Sequence, residues 1–148
     1  MADFDVFNGD ADGICALTQL RLAEPRSATL VTGVKRDINL LKKVTPSDGD
    51  RVTVLDVSMD KNHDDLQRLL NTGTEVFYVD HHFAGDIPES AKLMAIINEA
   101  PDVCTSLLVN AHLKGAHAIW SVVGAFGDNL NKSALGIAKN LDLSLIHI

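Results

Sequence analysis

The chain has 148 residues, of which 46% are hydrophobic and 22% are charged, and its formal net charge is -7. This length suits one domain with its own core, and the composition is typical of a soluble globular protein. The negative balance excludes the strongly basic surface of a pure nucleic-acid binder, but a phosphate substrate stays open because bound metal ions can supply positive charge.

Short apolar runs alternate with helical patterns along the chain. In chain order, the predicted elements are a strand at 3–8, a helix at 13–23, a strand at 28–33, a helix at 38–44, a strand at 51–57, a helix at 62–73, strands at 74–80 and 93–97, and helices at 102–113, 117–126 and 131–140. The first helix is expected to bury residues spaced at three, from Ile14 to Ala23. Asp37 is expected to cap the second helix, and Asn62 to begin the third, which Gly73 closes.

This alternation with short connections predicts an α/β fold, a parallel β-sheet flanked by helices on both faces. Residues 1–142 are predicted to form one domain, since no internal repeat or low-complexity linker interrupts them. Residues 143–148 are an uncertain tail, because they resemble translated sequencing adaptor and follow no closing element. We therefore expect the chain to be truncated.

No secretory signal and no membrane span is predicted, so a cytoplasmic protein follows by default. The two cysteines, Cys15 and Cys104, lie in apolar helical contexts and are expected to be buried free thiols. Trp120 and Phe126 are expected in the core.

Acidic and histidine residues follow the predicted strands. They are Asp10, Asp12, Asp56, Asp80, His81 and His82, with Asp128 after a later apolar run. A parallel sheet gathers its strand ends at one edge, where ligands bind. Converging carboxylates repel one another unless a cation neutralises them. The set therefore predicts two divalent ions, and carboxylates with an imidazole suit Mn²⁺ or Mg²⁺ better than structural zinc.

Each signal also has an ordinary structural interpretation. Residues 10–13, Asp-Ala-Asp-Gly, are also typical of a turn or a calcium loop, and Asp56 alone could be a capping residue. Residues 80–82, Asp-His-His, are less ordinary, because histidines directly after an apolar strand are rarely packing residues. The combination in this order favours a metal site.

These segments resemble the motifs of the DHH phosphoesterases over residues 4–140. The matching segments are Asn8-Gly9-Asp10-Ala11-Asp12-Gly13, Leu55-Asp56-Val57-Ser58, Asp80-His81-His82 and Gly127-Asp128-Asn129. The resemblance implies a hydrolase that uses two metal ions and a metal-bound water on phosphodiester or phosphoanhydride bonds. Its substrate would be a nucleotide, an oligonucleotide or a single-stranded nucleic-acid end, and a homodimer stays open.

The resemblance also implies metal ligands. Asp10 would bind one metal and Asp12 the other, with Asp56 bridging them. His81 and Asp128 would complete the second site.

Further roles follow from the same resemblance. Asp80 would orient the histidines, and His82 would face the substrate phosphate and stabilise developing charge. Asn8 could contribute an oxygen to the site. Several branches of the family have a histidine where this chain has Val6, so the first metal is expected to bind more weakly.

Because we expect the chain to be truncated, we expect it to lack the C-terminal substrate domain of the family, and basic groups are few. Lys35, Arg36, Lys42 and Lys43 are expected to form a solvated helix face rather than a substrate grip. Thr105 and Ser106 are expected to begin a helix, whose N-terminus could alternatively contact phosphate.

Two other functions stay open. A haloacid-dehalogenase-like phosphatase would use Asp10 as a covalent nucleophile with one metal, but it leaves residues 80–82 without a role. A metal-binding or phospho-ligand-binding module without turnover is the non-enzymatic alternative, and Val6 is its best support.

Overall fold

The computed structural model describes residues 1–34 and 36–141 and confirms the predicted α/β fold. Its strands are β1 (Asp3–Asn8), β2 (Thr29–Gly33), β3 (Arg51–Leu55), β4 (Glu75–Asp80) and β5 (Leu93–Ile97). They form one parallel sheet in the order β2-β1-β3-β4-β5. Lys35 and the predicted tail at 143–148 lie outside the described residues.

Helices cover both faces of the sheet. They are α1 (Ala11–Ala23), α2 (His63–Asn71), α3 (Thr105–His112), α4 (Ala118–Gly127) and α5 (Asn131–Ala138), with short 3-10 helices at Leu40–Lys43 and Asp60–Asn62. On one face, α2 and the 40–43 turn pack on alternate strand residues that include Val6, Val54 and Tyr78. On the other face, α1 and α3 pack on Phe7, Leu55 and Val79. The helices α3, α4 and α5 share a third cluster.

The strand order reverses beside β1. The chain leaves β1 for β2 on one side and then crosses to β3 on the other side. In parallel sheets such a reversal opens a crevice beyond the carboxyl ends of the two strands between which it occurs. Asp10 follows β1 and Asp56 follows β3, so both lie at this crevice.

The predicted helix over 38–44 is wrong. Only the 3-10 turn Leu40–Lys43 forms there, because the buried Asn62 side chain occupies the backbone groups of the segment. Its amide donates to the carbonyl of Ile38 at 2.6 Å and accepts the N–H of Leu41 at 3.3 Å. For the same reason the Asn62 side chain makes no capping hydrogen bond, although Asn62 stands at the N-cap position of α2, which begins at His63 as the sequence predicted.

The expected buried face of α1 is right for Leu20, which is buried, and wrong for both ends of the helix. Ile14 is 46% exposed and Ala23 is also exposed, whereas Cys15, Ala16 and Gln19 are buried. Because an α-helix has 3.6 residues per turn, residues at every third position do not stay on one side. Ile14 and Ala23 therefore lie on opposite sides of α1.

Two aromatic residues expected in the core lie at the surface. Trp120 is 39% exposed and Phe126 is 42% exposed, because α4 turns its small residues inward. Both cysteines are buried free thiols, as predicted. Within the described part of the chain, no helix has the length and apolarity needed to cross a membrane.

Candidate metal centre

Asp12 lies buried in the first turn of α1, against the beginning of α3. Its Oδ1 accepts the backbone N–H of Ser106 at 2.7 Å, and its Oδ2 accepts that of Thr105 at 3.0 Å. These N–H groups have no partner within the helix, and together with the positive end of the α3 dipole they stabilise the Asp12 carboxylate. Each carboxylate oxygen still has a lone pair for another ligand.

His81 is the point where three acidic segments meet. Its Nε2 lies 3.1 Å from Asp56 Oδ1, 3.6 Å from Asp12 Oδ2 and 3.6 Å from Asp128 Oδ2. These residues come from the end of β4, the loop after β3, the start of α1 and the end of α4. The structure therefore brings together four of the residues that the sequence analysis named as metal ligands.

Asp56 occupies a strained backbone position. Its φ is 62°, in the left-handed region that non-glycine residues adopt at a cost. Its N–H donates to the carbonyl of Val79 at 3.1 Å, and the Tyr78 hydroxyl donates to the carbonyl of Val57 at 2.6 Å. These two bonds from β4 hold the strand end in this conformation, and such outliers cluster at functional sites.

Asp80 orients one histidine of the pair. Its Oδ1 lies 2.7 Å from His82 Nδ1, while Asp80 itself is buried and His82 reaches the surface. The hydrogen bond to Asp80 raises the pKa of His82 above its ordinary value. The imidazolium form is thereby favoured, which suits His82 to contact an anion.

Asp10 and Asn8 lie at the crevice without joining this group. Asp10 caps α1 by accepting the N–H of Gly13 at 3.0 Å through Oδ1. It belongs to neither of the described groups whose ligand atoms lie within 4.8 Å of one another, Asp12-His81-Asp128 and Asp56-Asp80-His81-His82. Asn8 Oδ1 and Asp80 Oδ2 are buried and accept no hydrogen bond from the described protein.

Burial, opposed by His81 and assisted by the nearby carboxylates of Asp12 and Asp10, raises the pKa of Asp56 to about 8. Burial lowers the pKa of His81, but the hydrogen bond to Asp56 and the charges of the carboxylates outweigh it and raise the value to about 9. At neutral pH the metal-free pair therefore retains protons that a cation would displace.

An open cavity of about 640 Å³ gives access to these side chains. Asp10, Asp56, His81, His82 and Asp128 line it, together with Asn8. Among its described lining residues Lys61 is the only lysine or arginine. The cavity is therefore acidic, and an anionic substrate would need positive charge from another source.

The donor set fits a divalent cation. Carboxylate and imidazole donors converge at short distances, and two buried oxygen atoms next to them lack partners. Carboxylate oxygens with one imidazole suit hard divalent ions such as Mn²⁺ and Mg²⁺. Acidic and histidine residues that could hold a metal ion are thus present, as the sequence predicted.

The start of α3 makes a contact that the sequence did not reveal. Thr105 and Ser106 begin the helix, as expected, but Asp12 already receives their N–H groups, so this N-terminus is not free for phosphate. Thr105 also donates its hydroxyl to Asp56 Oδ1 at 3.2 Å. Threonine at a helix start is too common a signal to have revealed this contact.

Two glycines of the first motif let protein segments pack closely. A side chain at Gly13 would collide with the backbone carbonyl of Asn8, and one at Gly9 with that of Gly33.

Comparison with known proteins adds no family assignment. No protein-family model matches the chain, and no curated protein matches it.

Proposed function

We propose that this chain is the metal-binding domain of a DHH-type phosphoesterase, which hydrolyses phosphodiester or phosphoanhydride bonds of a nucleotide, an oligonucleotide or a nucleic-acid end with two divalent ions, Mn²⁺ or Mg²⁺. The proposal depends on one observation. Side chains from segments more than a hundred residues apart converge within 3.1 to 3.6 Å of His81 Nε2 at the switch point of the sheet, namely Asp12, Asp56 and Asp128. The resemblance of the motifs supports the same assignment.

The protein would hold one ion through Asp12, Asp56, His81 and Asp128, and the other through Asp56 and Asp10. When bound, the ions would supply the positive charge that binds a phosphoryl group and a hydroxide at neutral pH. His82 would contact the phosphate from the cavity edge, because Asp80 fixes its ring and favours its charged form. Lys61 is the only described lysine or arginine on the cavity wall, so the ions and His82 would supply most of the positive charge in this acidic cavity.

The site at Asp10 has fewer protein ligands. Val6, which stands where some relatives have a histidine, is fully buried in the core and offers no donor. This observation favours the second candidate, a binding module that holds metal and a phospho-ligand without turnover. The orphaned oxygen of Asn8, on the same cavity, would support a functional site instead.

The dehalogenase-like alternative has less support. Asp10 lines the cavity and Lys61 lies on the same wall, but a covalent aspartate mechanism leaves His81 and Asp128 without a role. Acid quenching of the reacting enzyme would recover a phospho-aspartate at Asp10 under this alternative only.

The decisive experiment measures Mn²⁺ binding by calorimetry and Mn²⁺-dependent release of nitrophenol from bis(4-nitrophenyl) phosphate. We expect Mn²⁺ binding and slow turnover in the unmodified chain, loss of both in Asp128→Asn, and retention of both in Asp60→Asn, a matched change on the same cavity wall. Binding without turnover would favour the binding module. Absence of Mn²⁺ binding would refute the proposed function.

A further inference from the structure

Thr105 contacts both carboxylates that the proposed function places around the shared metal position. Its backbone N–H donates to Asp12 Oδ2 at 3.0 Å, and its side-chain hydroxyl donates to Asp56 Oδ1 at 3.2 Å. It is completely buried. These are the same two oxygen atoms that face His81 Nε2, at 3.6 and 3.1 Å.

The two carboxylates follow different strands. A third residue that contacts both is therefore needed to fix the distance between them. Asp12 follows β1 and Asp56 follows β3, and nearby like charges push such groups apart. A neutral donor between them stabilises both charges without introducing a cation that would compete with a metal.

The start of α3 is itself fixed rigidly to α1. Ser106 donates its hydroxyl to the carbonyl of Asp12 at 2.7 Å, and Gln19 Nε2 donates to the carbonyl of Ser106 at 3.1 Å. Gly124 of α4 packs so closely on Ser106 that a side chain there would collide with its hydroxyl. Thr105 is therefore held in place from several sides.

We propose that Thr105 is a positioning residue that sets the distance and orientation of Asp12 and Asp56, and thereby the geometry of the metal pair. This inference rests on the proposed metal-dependent function. Thr105 touches neither substrate nor reacting atoms, and it acts through the two carboxylates. Supporting hydrogen bonds of this kind are worth roughly 10- to 100-fold in metal affinity.

Substitution can separate the two contacts. Thr105→Val keeps the volume and the backbone N–H to Asp12, and it removes only the hydroxyl that binds Asp56. Thr105→Ser keeps the hydroxyl. Thr74→Val is the matched control, because Thr74 is also a fully buried threonine, lies beside the opposite end of β4, and its hydroxyl has no described partner.

The test uses Mn²⁺ alone as the probe, with affinity measured by calorimetry and the coupled pair detected by electron paramagnetic resonance. For Thr105→Val we expect Mn²⁺ affinity to fall about 10- to 100-fold and the exchange-coupled spectrum to change. Thr105→Ser and Thr74→Val should resemble the unmodified chain. If Thr105→Val does not fold, Thr105→Ala is measured with the same expectation.

The outcomes are distinguishable. Unchanged affinity and spectrum in Thr105→Val would overturn the positioning role while leaving the proposed function intact. Equal losses in the valine and serine variants would also overturn it, because packing rather than the hydroxyl would then be responsible. An unmodified chain that binds no Mn²⁺ would remove the proposed function and, with it, the basis of this inference.

Discussion

Ser106 binds Asp12 twice, through its backbone N–H to Oδ1 and through its hydroxyl to the backbone carbonyl, each at 2.7 Å. This double contact joins residues 94 positions apart in the chain. It places an acidic residue of the first motif against a helix that follows the last strand. Contacts between distant segments of the fold therefore help to place the members of the acidic crevice, which can be tested one at a time.

Asp56→Asn should abolish hydrolysis and weaken the binding of both metals, because the proposed bridging carboxylate becomes a neutral amide. Metal-free stability should not fall, since burial already disfavours the charged form of Asp56, whose pKa is raised to about 8. Calorimetry with Mn²⁺ and denaturant unfolding of the metal-free protein measure both effects. Asp64→Asn, on an exposed residue of α2, is the control. Unchanged metal stoichiometry in Asp56→Asn would contradict the bridging role.

His82→Ala should lower turnover about 10²- to 10³-fold, the range for removing one group that stabilises developing charge. Metal content should stay the same, because the proposed ligands of the two ions do not include His82, whose Nδ1 is occupied by its hydrogen bond to Asp80 even though His82 also belongs to the group Asp56-Asp80-His81-His82. Steady-state kinetics and metal analysis on the same preparation check the two halves of this expectation. His63→Ala, on a histidine that is not among the cavity-lining residues, serves as control. Loss of metal from His82→Ala would mean that His82 is a ligand.

Much of this arrangement was predictable from the chain alone. Runs such as 52–55 (Val-Thr-Val-Leu) and 76–79 (Val-Phe-Tyr-Val) consist of β-branched, aromatic and aliphatic residues, which indicates strands covered on both faces, and a parallel sheet gathers their ends at one edge. The convergence of Asp12, Asp56 and His81 follows from that rule.

The rest of the site and fold depends on tertiary contacts that the neighbouring residues in the sequence do not indicate. The hydroxyl of Thr105 meets Asp56 across 49 positions, and nothing in the residues around either one indicates it. Asn62 resembles a helix cap but uses its side chain on the 38–41 segment, so a helix predicted by periodicity is replaced by a short turn. The packing environment, rather than propensity, decides such cases.

Metal affinity should rise with pH between about 6 and 9, because a ligand must lose its proton before it can bind a cation. His81 and Asp56 have pKa values raised to about 9 and about 8, so in the metal-free protein both retain protons at neutral pH. Mn²⁺ binding should therefore release protons, and fewer as the pH approaches 9. Calorimetry in buffers of different ionisation enthalpy measures this release directly. A proton count of zero at pH 7 would show that the pair is already deprotonated.

Gly13→Ala should destabilise the chain by about 1–3 kcal/mol, the usual cost of forcing a side chain into a filled space. The added methyl group would press against the backbone carbonyl of Asn8 and separate the start of α1 from the end of β1, where Asp10 and Asp12 lie. Metal affinity should therefore fall together with stability. Gly136→Ala is the matched comparison, since that glycine lies inside α5 in open space, and the change should stabilise the helix by about 0.5–1 kcal/mol. Denaturant unfolding and Mn²⁺ calorimetry on both variants test the pair. If Gly13→Ala matched Gly136→Ala in both measurements, close packing at the first motif would not be what holds these carboxylates in position.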